Sequence, residues 1–194
     1  MANIFGSLLA NGYHVAILGL DWSGKTSVLY RLKLDEYVNT VPTISFNTEK
    51  IKCKTGSAKG TTFKFWDAGG AEKLRPLWKS YARAADGIVF VVDSTDKDRM
   101  DEARCELFKV TQLQETKGVP VLLIANKQDL REAVGLGFIE DALSIAELRA
   151  QQRTVQIVSG CALTGEGFED VLGILGEMIE KHRKLLKQQK KKGR

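Results

Sequence analysis

Gly19-Leu20-Asp21-Trp22-Ser23-Gly24-Lys25-Thr26 has the spacing G-x-x-x-x-G-K-[ST]. Such a stretch is built to hold a polyphosphate. Its glycines let the chain turn tightly, so that consecutive backbone N–H groups point inward at phosphate oxygens. Lys25 brings a positive charge to the β/γ-phosphates, and the Thr26 hydroxyl is a hard oxygen ligand for Mg²⁺. A second candidate is Asn126-Lys127-Gln128-Asp129. An ionised Asp129 can accept two hydrogen bonds, from the N1–H and the 2-amino group of guanine. Adenine offers neither donor, and a site built this way rejects the wrong partner by roughly 10⁴–10⁵. Asn126 would brace the surrounding loops, and the stem of Lys127 would lie over the base. Cys161-Ala162 would complete the base pocket with a backbone N–H.

Two further clusters have matching chemistry. In Trp66-Asp67-Ala68-Gly69-Gly70, Asp67 can reach Mg²⁺ through water, and Gly70 lets a backbone N–H approach the terminal phosphate. In Val41-Pro42-Thr43, the Thr43 hydroxyl can offer Mg²⁺ a second oxygen from a loop folded over the nucleotide. A loop of that kind is ordered by a γ-phosphate and released without it.

Those residues need a scaffold that brings loops from distant parts of the chain together. Val15–Leu18, Ile88–Val92, Val121–Ala125 and Thr154–Val158 read as buried strands. Phe46–Cys53 and Thr61–Trp66 alternate and flank the turn Lys54–Gly60, as a hairpin does. Helical spacing covers about Lys25–Lys33, Lys97–Glu115, Phe138–Arg149 and Gly167–Leu186. Strands alternating with helices predict an α/β fold: a six-stranded, mixed but mostly parallel sheet covered by helices on both faces. Ligands then bind at the carboxyl ends of the strands. All the candidate residues fall there.

The 194 residues fit one domain, with 43% hydrophobic and 27% charged residues. No apolar run approaches the roughly 18 residues of a membrane span, and no secretion signal is expected. Three scattered cysteines, Cys53, Cys105 and Cys161, argue against a disulfide framework and for a reducing compartment. The charge is asymmetric. Lys181, Arg183, Lys184, Lys187, Lys190, Lys191, Lys192 and Arg194 lie in a stretch without acids; taking these eight from the net +5 leaves −3 on residues 1–180. The high pI therefore belongs to the tail and implies no specific nucleic-acid surface on the body. The expected division is an amphipathic segment over 1–12, a nucleotide-binding domain over 13–182 and a polybasic tail over 183–194.

The ordered set of P-loop, Pro-Thr, W-D-x-G-G, N-K-x-D and C-A resembles the Ras-type small GTPases, and within them the Arf and Arf-like branch. Leu18-Gly19-Leu20-Asp21, Pro42-Thr43-Ile44, Lys73-Leu74-Arg75-Pro76-Leu77-Trp78 and Val92-Asp93-Ser94 carry the likeness. Asn39–Thr43, Asn47–Lys52 and the tail Leu185–Lys192 are similar to the type-4 Arf-like proteins. The resemblance implies a P-loop, Ras-like fold, GTP/GDP and Mg²⁺ as ligands, and GTP hydrolysis as the family activity. It implies a monomeric switch whose GTP form recruits effectors, such as an Arf exchange factor, to plasma membrane or endomembranes. The family's effector surface uses the hairpin and an aromatic triad. Phe46, Trp66 and Tyr81 stand at the matching positions, and the alternative is that they are ordinary core aromatics.

Four residues depart from the family pattern. Ala71 stands where the family has the Gln that orients the attacking water, so hydrolysis is expected to be weak. Trp22 stands at a P-loop position that is usually small, where it either points outward or crowds the nucleotide. Ser45 replaces a Gly, with a cost if the position needs a positive φ. Residue 2 is Ala2 rather than Gly, so N-myristoylation is not expected. Ile4, Phe5, Leu8 and Leu9 keep a short amphipathic pattern. The basic tail suits an anionic leaflet, or a nuclear localisation signal taken by an importin, against the plainer alternative of a solvated, frayed end. The alternative function is a pseudo-GTPase that no longer cycles and serves as a constitutive membrane or protein interaction module.

Overall fold

The computed structural model describes residues 12–192 of the chain. Residues 1–11 of the amphipathic segment, with Ala2, Ile4, Phe5, Leu8 and Leu9, and the terminal Arg194 lie outside the described residues.

Six strands form one sheet: β1 (Tyr13–Leu18), β2 (Phe46–Lys52), β3 (Thr62–Ala68), β4 (Gly87–Asp93), β5 (Val121–Asn126) and β6 (Val155–Ser159). Their spatial order is β2-β3-β1-β4-β5-β6. Only β2–β3 pairs antiparallel; the other pairings are parallel, as a hairpin followed by helical crossovers requires. The expected sheet is the observed one. The helices are α1 (Lys25–Leu34), α2 (Trp78–Ala82), α3 (Met100–Thr111), α4 (Leu136–Ala142), α5 (Ile145–Ala150) and α6 (Val171–Lys192).

Strand alternation sorts the apolar side chains into two layers. Val15, Ile17, Val89 and Val91 pack with Val28, Leu29, Leu175 and Ile179 beneath α1 and α6. Ala16, Leu18, Ile88 and Phe90 pack on the opposite face with Trp78, Leu107, Ile139 and Leu148. Central strands covered on both sides explain why β4 and β5 read as unbroken apolar runs. β2 is one edge of the sheet and carries Glu49, Lys50 and Lys52, charges that discourage edge-to-edge pairing.

Three helical boundaries differ from the sequence expectation. The helix expected over 97–115 is α3 flanked by 3₁₀ turns at Lys97–Arg99 and Gln114–Thr116. Thr111 closes it by donating its hydroxyl to the Leu107 carbonyl. The helix expected over 138–149 breaks into α4 and α5, with Ser144 left-handed at φ 51°. Leu143 and Ile145 are both fully buried. Two positions apart on one helix they would point to nearly opposite sides, so both reach the core only if the helix breaks between them. The last helix starts at Val171 rather than Gly167, because Gly167 is left-handed at φ 80°.

Helix α6 also runs on through the basic stretch to Lys192. Arg183 belongs to the body and not to a free tail. Its guanidinium pairs with Asp86 at 2.7 Å and lies 4.6 Å from the Tyr13 ring centroid. The exposed basic side chains beyond it include Lys184, Lys190 and Lys191, with half-exposed Leu185 and Leu186 between them. Among the described residues, no helix is long and apolar enough to cross a membrane.

Candidate functional site

Gly19–Thr26 leaves the carboxyl end of β1 and opens α1, so the first-turn N–H groups and the helix dipole face the loop's concavity. Lys25 folds back into that concavity. It is 5% exposed and donates to the Leu20 carbonyl at 2.7 Å. Burial pushes its ammonium down to about 8, against the pull of Asp67 and Asp21. An anion in the loop would relieve that penalty.

Three oxygen donors from separate elements meet beside Lys25. The Thr26 hydroxyl at the start of α1 donates to Asp67 Oδ2 at 2.7 Å and lies 2.9 Å from the Thr43 hydroxyl. Asp67 sits in β3, fully buried, and its other oxygen, Oδ1, has no hydrogen-bond partner. Burial raises its carboxyl above the usual carboxylate range, although Thr26 and Lys25 oppose the shift. A buried orphan carboxylate oxygen beside two hydroxyls is a set of hard ligands that fits Mg²⁺.

The adjoining cavity, about 290 Å³, is lined by residues that include Lys25, Thr26, Thr40, Thr43, Gly70 and Ala71. Gly70 is pressed against the P-loop: a Cβ there would lie 2.4 Å from the Asp21 nitrogen and 2.6 Å from Lys25 Nζ. Only glycine allows that approach. The segment is held from behind, since Trp78 Nε1 donates to the Gly69 carbonyl at 2.9 Å and Arg75 Nε donates to the Gly70 carbonyl at 2.8 Å. Arg75 also meets Glu102 at 2.7 Å, and Asp21 of the P-loop pairs with Arg99 at 2.6 Å. This network of arginines behind the phosphate loop had no local signal, because its members lie far apart in sequence.

The base side is assembled by Asn126, which is 3% exposed. Its Nδ2 donates to the Ser23 carbonyl at 2.9 Å, and its Oδ1 accepts the Ala162 N–H at 3.0 Å. One side chain therefore ties the P-loop to the loop after β6. Asp129 is exposed, and its Oδ1 accepts from the Cys161 thiol at 3.0 Å. Lys127 pairs with Asp93 at 2.5 Å, which fixes its stem. The lysine and a nearby Thr95 hold the Asp93 carboxyl below its usual range despite burial. The N–H groups of Cys161 and Ala162 bond inside the protein, to Glu166 O and Asn126 Oδ1, so this part of the loop braces Asn126 and Asp129.

Two of the departures are settled by backbone geometry. Ser45 is not among the described residues with positive φ, so the anticipated strain is absent there. Trp22 is the strained one, with φ 65° and a side chain 71% exposed. It points to solvent at the rim of the cavity and leaves the phosphate cradle open. A left-handed L-residue costs roughly 1–2 kcal/mol, and glycine gives part of that back in unfolded-state entropy. Trp22→Gly should therefore raise the unfolding free energy by about 1 kcal/mol in urea titration; a lower midpoint would show the indole to be stabilising.

Phe46, Trp66 and Tyr81 form one cluster, with ring centroids 5.4–6.1 Å apart. Phe46 is 47% exposed, and neighbouring Val41 and Ile44 are more than four-fifths exposed. The triad spans core and surface: Phe46 is exposed, while Trp66 and Tyr81 are half-buried and Tyr81 packs against the core.

A P-loop, a guanine-type base loop and the meeting of Thr26, Thr43 and Asp67, on a sheet of this strand order, define the class. The chain belongs to the ADP-ribosylation factor family, whose model matches residues 1–179. Within that family it is 55% identical to human ADP-ribosylation factor-like protein 4A over 191 residues, covering 96% of this chain and 95% of that protein. It is 54% identical to human ADP-ribosylation factor-like protein 4C over 193 residues, 99% of this chain and 100% of that one. Among solved structures it matches the Arl6 BBS3 small GTPase from Trypanosoma brucei, determined with the bound nucleotide analogue GppNp. That match has a TM-score of 0.75 at 28% identity, over 87% of this chain and 97% of that one.

Proposed function

We propose that this chain is a guanine-nucleotide switch that binds GTP and GDP with Mg²⁺ and hydrolyses GTP weakly. The observation that carries the proposal is the meeting of Thr26, Thr43 and Asp67 beside Lys25, with Asp67 Oδ1 unpartnered. Thr26, Thr43 and Asp67 would hold Mg²⁺, which supplies charge neutralisation to the phosphates. Lys25 and the P-loop N–H groups would hold the phosphates themselves, and Asn126, Lys127 and Asp129 the base. Thr43 comes from the exposed loop that leads into β2, so a contact it makes only with GTP bound would reshape the surface around Val41, Ile44 and Phe46. That surface, with Trp66 and Tyr81, is where an effector protein would dock.

The test is direct. Protein purified without added nucleotide should release about one equivalent of GTP or GDP on denaturation. Chelation of Mg²⁺ should speed exchange of a fluorescent GDP by about tenfold, as expected when charge neutralisation worth one or two kcal/mol is lost. An empty site that takes up no GDP would instead support the pseudo-GTPase alternative.

The tail is proposed to hold the protein reversibly on anionic plasma membrane or endomembranes, each exposed Lys contributing up to about 1 kcal/mol near the surface. An importin reading the same run would bring it to the nucleus. Because Arg183 is tied to Asp86, the appropriate truncation removes Lys184–Arg194 and spares Arg183. Co-sedimentation with phosphatidylserine vesicles should fall several-fold in the truncated chain and in 0.5 M salt, as screening of roughly 1 kcal/mol per lysine implies. Equal binding by both chains would refute the membrane role.

A further inference from the structure

Arg31 has no part in the chemistry described so far, yet it is 8% exposed and lies on α1, five residues past Thr26. Its guanidinium donates to three backbone carbonyls. Nε reaches Ala162 O at 3.0 Å, Nη2 reaches Leu163 O at 2.7 Å, and Nη1 reaches Asp35 O at 2.7 Å. The first two carbonyls belong to the loop after β6, and the third ends α1. The Asp35 carboxylate is 4.0 Å away and fully solvated, so the carbonyls, not an ion pair, are the partners that matter.

The loop is shaped to receive the arginine. Gly165 is left-handed at φ 92°, and a Cβ there would lie 3.2 Å from Nη1 and 3.4 Å from Cζ of Arg31. The same loop carries both groups that orient the base-side residues: the Cys161 thiol on Asp129 and the Ala162 N–H on Asn126. A planar fork with donors in fixed directions can hold adjacent carbonyls at once, which a lysine ammonium cannot do.

We propose that Arg31 is a positioning residue for base recognition. Rooted in the P-loop helix, it holds the backbone at Ala162 and Leu163, so that Cys161 keeps Asp129 aimed at a guanine and Ala162 keeps Asn126 tied to the P-loop. The inference rests on the guanine-nucleotide reading above. It assigns Arg31 an effect on which base is held, beyond an effect on stability.

The experiment compares GDP with inosine diphosphate, which lacks the 2-amino group and so forfeits one hydrogen bond to Asp129. Dissociation rates and affinities are measured on the full chain, on Arg31→Met and on Arg31→Lys. The expected result is a wild-type preference for GDP. Arg31→Met should release GDP about tenfold faster, the effect of leaving the buried Ala162 carbonyl unsatisfied, and its preference for GDP over inosine diphosphate should fall at least about threefold. Arg31→Lys should lie between. A wild-type chain that binds no GDP overturns the guanine reading and this inference with it. A wild-type chain that binds GDP, beside an Arg31→Met variant whose preference is unchanged, overturns the positioning role alone, whatever happens to release rate or melting temperature. If Arg31→Met does not fold, Arg31→Lys decides by the same criterion.

Discussion

Asp129→Asn should lower the affinity for GDP by about three orders of magnitude and make the xanthine nucleotide the preferred ligand. In the proposed complex the carboxylate accepts from two guanine donors, N1–H and the 2-amino group. An amide presents one acceptor and one donor, so its NH₂ would face a guanine donor. Xanthine carries a carbonyl where guanine has the amino group, and an amide complements it. The variant should otherwise fold normally, because Asp129 is exposed and its one recorded contact is the Cys161 thiol. Titration of fluorescent GDP and XDP measures both affinities. A variant that retains GDP within a fewfold of the parent would show that Asp129 does not read the base.

Ala71→Gln should accelerate single-turnover GTP hydrolysis by about two orders of magnitude, the scale lost when a reacting group is left unpositioned. Ala71 lines the cavity with Lys25 and Thr43, and its backbone is extended at φ −58°, ψ 140° just before a 3₁₀ turn. Neither value requires a special residue, so glutamine fits the conformation. Its amide would reach the side of the site where a water must stand, while the Gly70 N–H beside it is already braced by Trp78 on the Gly69 carbonyl of the same peptide. The wild-type chain is correspondingly expected to accumulate GTP. Similar rates for the two proteins would mean that Ala71 is not what limits hydrolysis, and the proposal of a GTP-biased switch would fail.

How much of this was legible beforehand follows the range of the interactions involved. The six strands and the mostly parallel sheet were readable, because each strand is a run of residues whose side chains must be buried on one face or on both; their order came only from the structure. The P-loop was readable because eight consecutive residues encode one backbone trajectory and one charge. Helix ends were less so. Ser144 breaks a helical pattern because Leu143 and Ile145 both need the core, and that demand comes from elements distant in the chain. The turn at Glu72–Leu77 and the five-residue α2 are too short to show a period at all.

The chain by itself pointed to the type of chemistry: a phosphate cradle at Gly19–Thr26, a carboxylate at Asp129 suited to guanine, oxygen donors at Thr26, Thr43 and Asp67, and alanine in place of glutamine at residue 71. Residue type and short spacing suffice for these, since each group brings its own charge or hydrogen-bonding pattern. Only the tertiary structure decided which group touches which. It closed Thr26, Thr43 and Asp67 into one cluster, turned the strain from Ser45 to Trp22, and moved Arg183 from the tail to the body. It also set Arg31 under the base loop, 131 residues away in sequence from Ala162. Such pairings depend on how the sheet and its crossovers bring distant loops to one edge, and no local pattern carries that information.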